Sequence, residues 1–215
     1  MPSRSQRLAR AVLLTFVSLA AMTPPAGAAS SIVLPRSGQV GIGISGAYGT
    51  FLPTGELGQE FGTGPGLSVR VRYRLRFERA IGLTFDAERM NSRDLDNEPG
   101  AFDTLQDFPD VKRDRMKMVT AGFEFYQLFD TRERTVKYLS AGVGLAQISA
   151  HLTDGDTQYP IAGDALFVSV GAGFERFFFR SWAWDANFKY KPVLHDGKVN
   201  HDLQVQLGLI FYAAY

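Results

Sequence analysis

Leu67-Ser68-Val69-Arg70-Val71-Arg72-Tyr73-Arg74-Leu75 has the pattern of a strand with two unlike faces. Apolar and polar residues alternate with a period of two. An extended strand therefore gathers Leu67, Val69, Val71, Tyr73 and Leu75 on one face and Ser68, Arg70, Arg72 and Arg74 on the other. A helix, turning about 100° per residue, would scatter both sets around its surface. Three arginines on one face need water or anions. Five apolar groups on the other need a core or lipid.

The same alternation predicts eight strands: 39–49, 67–75, 80–90, 117–129, 135–149, 164–176, 182–192 and 199–212. The connections alternate as well. Those at 76–79, 130–134 and 177–181 are short, whereas 50–66 and 91–116 are long, 150–163 is intermediate and 193–198 is short. In an up-and-down antiparallel meander every second connection lies at the same end. One end should carry only tight turns and the other the variable loops. The acid-rich connection 91–116 is expected outside the cell.

The composition agrees with an all-β chain, since 22 glycines, 17 Phe, 8 Tyr and 2 Trp occur in 215 residues. There is no cysteine, which excludes disulfides, thiol nucleophiles, Cys-ligated metals and a lipoprotein anchor cysteine. Lys plus Arg number 23 and Asp plus Glu 22, a balance that argues against a nucleic-acid partner. Arg4, Arg7 and Arg10 precede an apolar stretch at 11–22, then Thr23-Pro24-Pro25 and the small-residue run Ala26-Gly27-Ala28. This predicts a secretory signal peptide over 1–28, a short segment at 29–38 and a barrel from 39 to 215.

Alternation alone does not say which face looks outward, because a soluble lipocalin-like barrel alternates with its apolar side inward. Four features favour an apolar face turned to lipid. Its mid-strand positions carry no charge, as a depth-dependent cost of about 2–4 kcal/mol for Arg or Lys would require. The polar face mixes glycine and serine with a few long charged residues, which suits a narrow lumen. Phe77, Tyr138, Phe177, Phe178, Phe179, Trp182, Trp184, Phe211 and Tyr212 gather near the tight-turn end, as an interfacial girdle would. The last strand is amphipathic and ends in an aromatic, Tyr215.

On these residues the chain resembles the small eight-stranded OmpA/OmpX-type outer-membrane β-barrels. The resemblance is one of architecture over about 39–215. It implies an all-β, eight-stranded, up-and-down antiparallel transmembrane β-barrel in the cell outer membrane of a Gram-negative-type bacterium. It also implies a monomer surrounded by outer-membrane lipid and lipopolysaccharide, delivered by the barrel assembly machinery through its C-terminal strand. Family members usually end in Phe, so Tyr215 is a departure.

The polar face collects Arg70, Arg72, Arg74, Lys189 and Lys191 with Asp86, Glu88, Glu124, Glu175, Asp185 and Asp202. The expected lumen network is Arg70, Arg72, Arg74, Asp86, Glu88, Glu124, Glu175, Asp185 and Lys189. The arginines are expected to meet Asp86 and Glu88 across the tight turn at 76–79. Charges of both signs in a narrow bore predict a plugged, non-conducting barrel, opened by Arg72→Ala or Glu124→Ala.

No catalytic site, cofactor or metal site is read from the chain. The lipid A 3-O-deacylases carry a His-x-Ser motif, and none of His151, His195 and His201 has Ser two positions on. The acids Asp94, Asp96, Glu98, Asp103, Asp107 and Asp110 lack the glycine and terminal glutamate of a calcium loop and read as solvated loop acid. Gly62-Thr63-Gly64-Pro65-Gly66 reads as a flexible loop end. The expected role is a non-enzymatic membrane scaffold presenting loops. The alternatives are a narrow transport barrel for small or hydrophobic solutes, resembling the OmpW-type proteins, a lipid A-modifying enzyme, and a soluble secreted ligand-binding barrel.

Overall fold

A computed structural model describes residues 37–92, 111–113, 115–154 and 157–213. Eight long strands form a closed antiparallel barrel: β1 (Val40–Phe51), β2 (Thr63–Arg76), β3 (Arg79–Met90), β5 (Met116–Phe129), β6 (Thr135–Asp154), β7 (Thr157–Phe177), β8 (Trp182–His195) and β9 (Lys198–Tyr212). A short strand β4 (Val111–Arg113) and a five-residue helix α1 (Glu56–Glu60) complete the elements. Each long strand pairs with its neighbours in sequence, and β9 closes the ring on β1 from Gly41↔Tyr212 to Phe51↔Asp202. Closure gives every barrel strand two partners within the ring; beyond the ring, β4 and the 157–165 part of β7 each pair with β6 alone.

The alternation of β2 is realised in space. Arg70, Arg72 and Arg74 point into the lumen and are at most 2% exposed, whereas Leu67, Tyr73 and Leu75 are 42–50% exposed on the outside. The same inversion of ordinary protein burial runs around the ring, with Ile42, Leu83, Phe85, Val119, Leu145, Val168 and Phe188 all turned outward. Such an exterior has no favourable solvent but hydrocarbon.

Three turns share one end, between β2 and β3, β5 and β6, and β7 and β8. At the other end the β8–β9 hairpin turns on Asp196-Gly197, with φ of 49° and 75°. That is the left-handed pair a two-residue type I′ turn requires. The β7–β8 ladder skips between Phe167↔Val193 and Val170↔Tyr190. Pro192 lies in that gap and has no N–H to donate.

Several sequence expectations are corrected. The connection at 150–163 is mostly strand: β6 and β7 pair continuously from Thr135↔Arg176 to Asp154↔Thr157. The hairpin outruns its neighbours, and β4 adds a third strand to it through Val111↔Asp154. The Gly62–Gly66 run is no loose loop end, because Thr63, Gly64, Pro65 and Gly66 pair with β1. Tyr138, Phe177 and Tyr212 do not join an outer girdle; they are at most 2% exposed and face inward. Their parity says so, since Tyr138 shares a face with Ser140 and Phe177 with Glu175. Phe77, Phe178, Phe179, Trp182, Trp184 and Phe211 do lie outside. The expected signal peptide at 1–28, most of the 29–38 segment, the loop acids from Asp94 to Asp110 and the terminal Tyr215 lie outside the described residues.

Candidate functional site

The lumen is built in three layers. At the tight-turn end an apolar and aromatic layer is formed by Ala80, Tyr126, Leu128, Val136, Tyr138, Phe177, Ala183, Ile210 and Tyr212. Glycine makes room for it: a Cβ on Gly173 would stand 2.7 Å from the Tyr138 ring. At the opposite end Phe51, Met90, Met116, Met118, Ile148, Phe167 and Val193 form a second apolar layer.

Helix α1 belongs to that second layer. Leu57 and Phe61 insert into it and are 5% and 2% exposed. The connection between β1 and β2 thus folds back over the mouth. The Leu57 N–H donates to Asn200 Oδ1 at 2.8 Å, and the Leu52 N–H donates to the His201 carbonyl at 2.8 Å. A Cβ on Gly58 would stand 1.7 Å from the Leu52 carbonyl, so only glycine lets the chain close this tightly. No sequence signal announced this lid, because five residues are too few to show a helical period.

Between the layers lie the charges. All nine expected network residues are there, joined by Lys191 and Asp202, and each of the eleven is at most 3% exposed. The partners differ from those expected. Register sets Asp86 opposite Ser68 and Glu88 opposite Gly66, while Arg70 and Arg72 face Thr84 and Gly82. With only small neighbours beside them, the arginines reach across the lumen. Arg70 pairs with Asp185 at 2.8 Å and also donates to Gln206. Arg72 and Arg74 converge on Glu175, Arg74 at 3.0 Å. Tyr212 Oη donates to the same carboxylate at 2.8 Å. The Arg72 guanidinium lies over the Tyr126 ring, 3.9 Å from its centre, and the Arg74 guanidinium lies 5.1 Å from that of Tyr212.

Nearer the mouth the lysines take over. Lys189 pairs with Glu124 at 2.6 Å and approaches Asp86 at 4.0 Å. Lys191 pairs with Glu88 at 2.6 Å and Asp202 at 3.3 Å. Gln204 donates to Glu88 at 2.8 Å, Thr120 to Asp86 at 3.3 Å, and Tyr126 to Glu124. The network also has neutral members that the charge pattern alone does not reveal: Gln204, Gln206, Tyr126 and Tyr138. Their even-numbered places on the polar face were the available signal.

His195 and His201 stand apart from this network. His195 lies 3.4 Å from Asp196 at the β8–β9 turn, and His201 contacts Tyr190 Oη at 2.5 Å and stacks on that ring. Neither has a serine as hydrogen-bond partner among the described residues.

No family model matches the chain, and no curated protein sequence does. Solved structures match it in fold. Neisserial surface protein A (NspA) superposes with a TM-score of 0.56 at 16% identity, over 80% of this chain and 96% of that one. Ail, the attachment invasion locus protein of Yersinia pestis, gives 0.54 at 14% identity, over 82% and 100%. The outer membrane protein OprG from Pseudomonas aeruginosa gives 0.55 at 10% identity, over 84% and 99%. At these identities the likeness is one of fold: that of the small eight-stranded outer-membrane β-barrels.

Proposed function

We propose that the protein is a non-enzymatic integral outer-membrane β-barrel, a monomer with a closed lumen, whose task is to hold its long connections at the cell surface. The observation that carries this reading is the pairing of an apolar exterior with a fully occupied interior. Val119, Val143, Leu145, Leu166 and Val168 are more than half exposed, while lumenal Lys189 and Lys191 are ion-paired below 2%. By the rule that barrel termini and tight turns face the periplasm, the α1 end and the long β6–β7 hairpin face outward. One neighbour in fold is named for attachment and invasion, which supports a surface role. Membrane fractionation combined with a heat-modifiability gel tests the premise. The protein is expected in the outer-membrane fraction, migrating faster unheated than boiled. Recovery as a soluble secreted protein would overturn it.

The same reading predicts that the purified barrel in a planar bilayer shows no stable open state. A reproducible channel in the unmodified protein would favour a transport barrel instead. The two apolar layers alter the expectation for variants. Glu124→Ala thins the charged layer but leaves both Phe167 with the α1 lid and Phe177 with Tyr212 in place. It should remain silent in the same recording, and conduction should need the lid removed as well.

A further inference from the structure

We infer that Arg89 and Lys117, together with the apolar groove beneath them, bind the phosphate monoester of an acylated lipid in the surrounding leaflet. Arg89 on β3 and Lys117 on β5 are directly opposed in register, and both side chains are exposed on the outer face of the barrel near the mouth. Like charges set opposite each other on a sheet repel. Among the described residues neither is in an ion pair, and Glu88 beside Arg89 points inward to Lys191. Exposed Arg115 adds a third cation two positions before Lys117.

The row below is apolar. Leu67, Ala87 and Val119 are aligned across β2, β3 and β5 one outward step toward the barrel middle. With Pro65 they line a shallow groove that ends at the two cations. A ligand matching both features carries acyl chain in the groove and compact negative charge above it. Two opposed cations fit a phosphate monoester, which carries about −1.5 to −2 at neutral pH, better than a singly charged phosphodiester. The lumen offers no competing site, since its cations have carboxylate partners.

This inference rests on the outer-membrane reading, with the mouth facing the outer leaflet. Native mass spectrometry of the full mature barrel in detergent micelles tests it, with folding verified on the same sample by heat-modifiability. A sample that fails that gel speaks against the barrel reading, not this site. The probes are bisphosphorylated hexa-acyl lipid A, the same lipid A enzymatically dephosphorylated, phosphatidylglycerol and inorganic phosphate. The folded protein is expected to retain one bisphosphorylated lipid A, with roughly tenfold weaker binding of the dephosphorylated form and of phosphatidylglycerol. Inorganic phosphate at equal concentration should not displace it, because it leaves the groove empty. Arg89→Ala with Lys117→Ala should lower affinity at least as much, while Lys137→Ala, at an exposed pair with Asp130 beside a tight turn, should not. Equal retention of phosphorylated and dephosphorylated lipid A would overturn the inference without recourse to any variant. Displacement by inorganic phosphate alone would reduce the site to a simple anion site and overturn its lipid assignment.

Discussion

Glu175→Ala is expected to lower the unfolding free energy of the barrel by about 3–5 kcal/mol, the cost of leaving buried charge without its partner. Glu175 is the only carboxylate paired with Arg72 and Arg74 among the described residues, and it also accepts from Tyr212 Oη. All three side chains are 0–1% exposed, so water cannot replace the carboxylate without opening the apolar layer at the tight-turn end. Urea unfolding of the refolded protein in bilayers measures the loss. Glu175→Gln keeps hydrogen-bond acceptance and discards the charge, and should fall between the wild type and alanine. Lys137→Ala breaks an exposed pair with Asp130, screened by water, and should leave the unfolding midpoint close to that of the wild type. A combined Arg72→Leu, Arg74→Met, Glu175→Leu variant removes the charges together and should recover much of the loss, because a buried ion cluster is often no better than apolar packing. If Glu175→Ala unfolds at the wild-type midpoint, the network is not what fills and fixes the lumen.

Val168→Arg should cost about 2–4 kcal/mol of stability in a bilayer and lower the yield of folded protein in proportion. Val168 is 53% exposed on the exterior and faces Val143, itself 59% exposed, so the new charge would lie in hydrocarbon with no acid beside it. The neighbouring Ser169→Arg tests the other face. Ser169 is 2% exposed and is packed against the lumenal side of Gly142, where Glu124 also lies. A new cation there meets acid but no space, so the defect should come from overfilling. It should be relieved in part by Lys189→Ala, which frees Glu124. No such second-site relief is expected for Val168→Arg. Normal insertion of Val168→Arg, with the arginine accessible to a water-soluble reagent, would reverse the assignment of the two faces.

The eight long strands, though not their full lengths, and the gathering of charge on one face were legible in the chain before folding. A period of two is a local property of an extended chain, and it survives any arrangement of neighbours. Leu67 to Leu75 therefore carried the same information in one dimension as in three. Parity also turns Tyr138, Phe177 and Tyr212 inward, despite their position near the turns. Which charges meet depends on the closed ring. Arg72 and Glu175 are 103 residues apart, and the closure of the ring brings β2 opposite β7 across a bore narrow enough for side chains to bridge. Local pairing of Arg70, Arg72 and Arg74 with Asp86 and Glu88 failed for the same reason: register put Ser68 and Gly66 opposite those acids. The lid was likewise invisible. Leu57 and Phe61 look like stray apolar residues in a glycine-rich connection until Phe51, Met90 and Phe167 surround them. Burial in this barrel is created by closure, and closure is a property of all eight long strands at once.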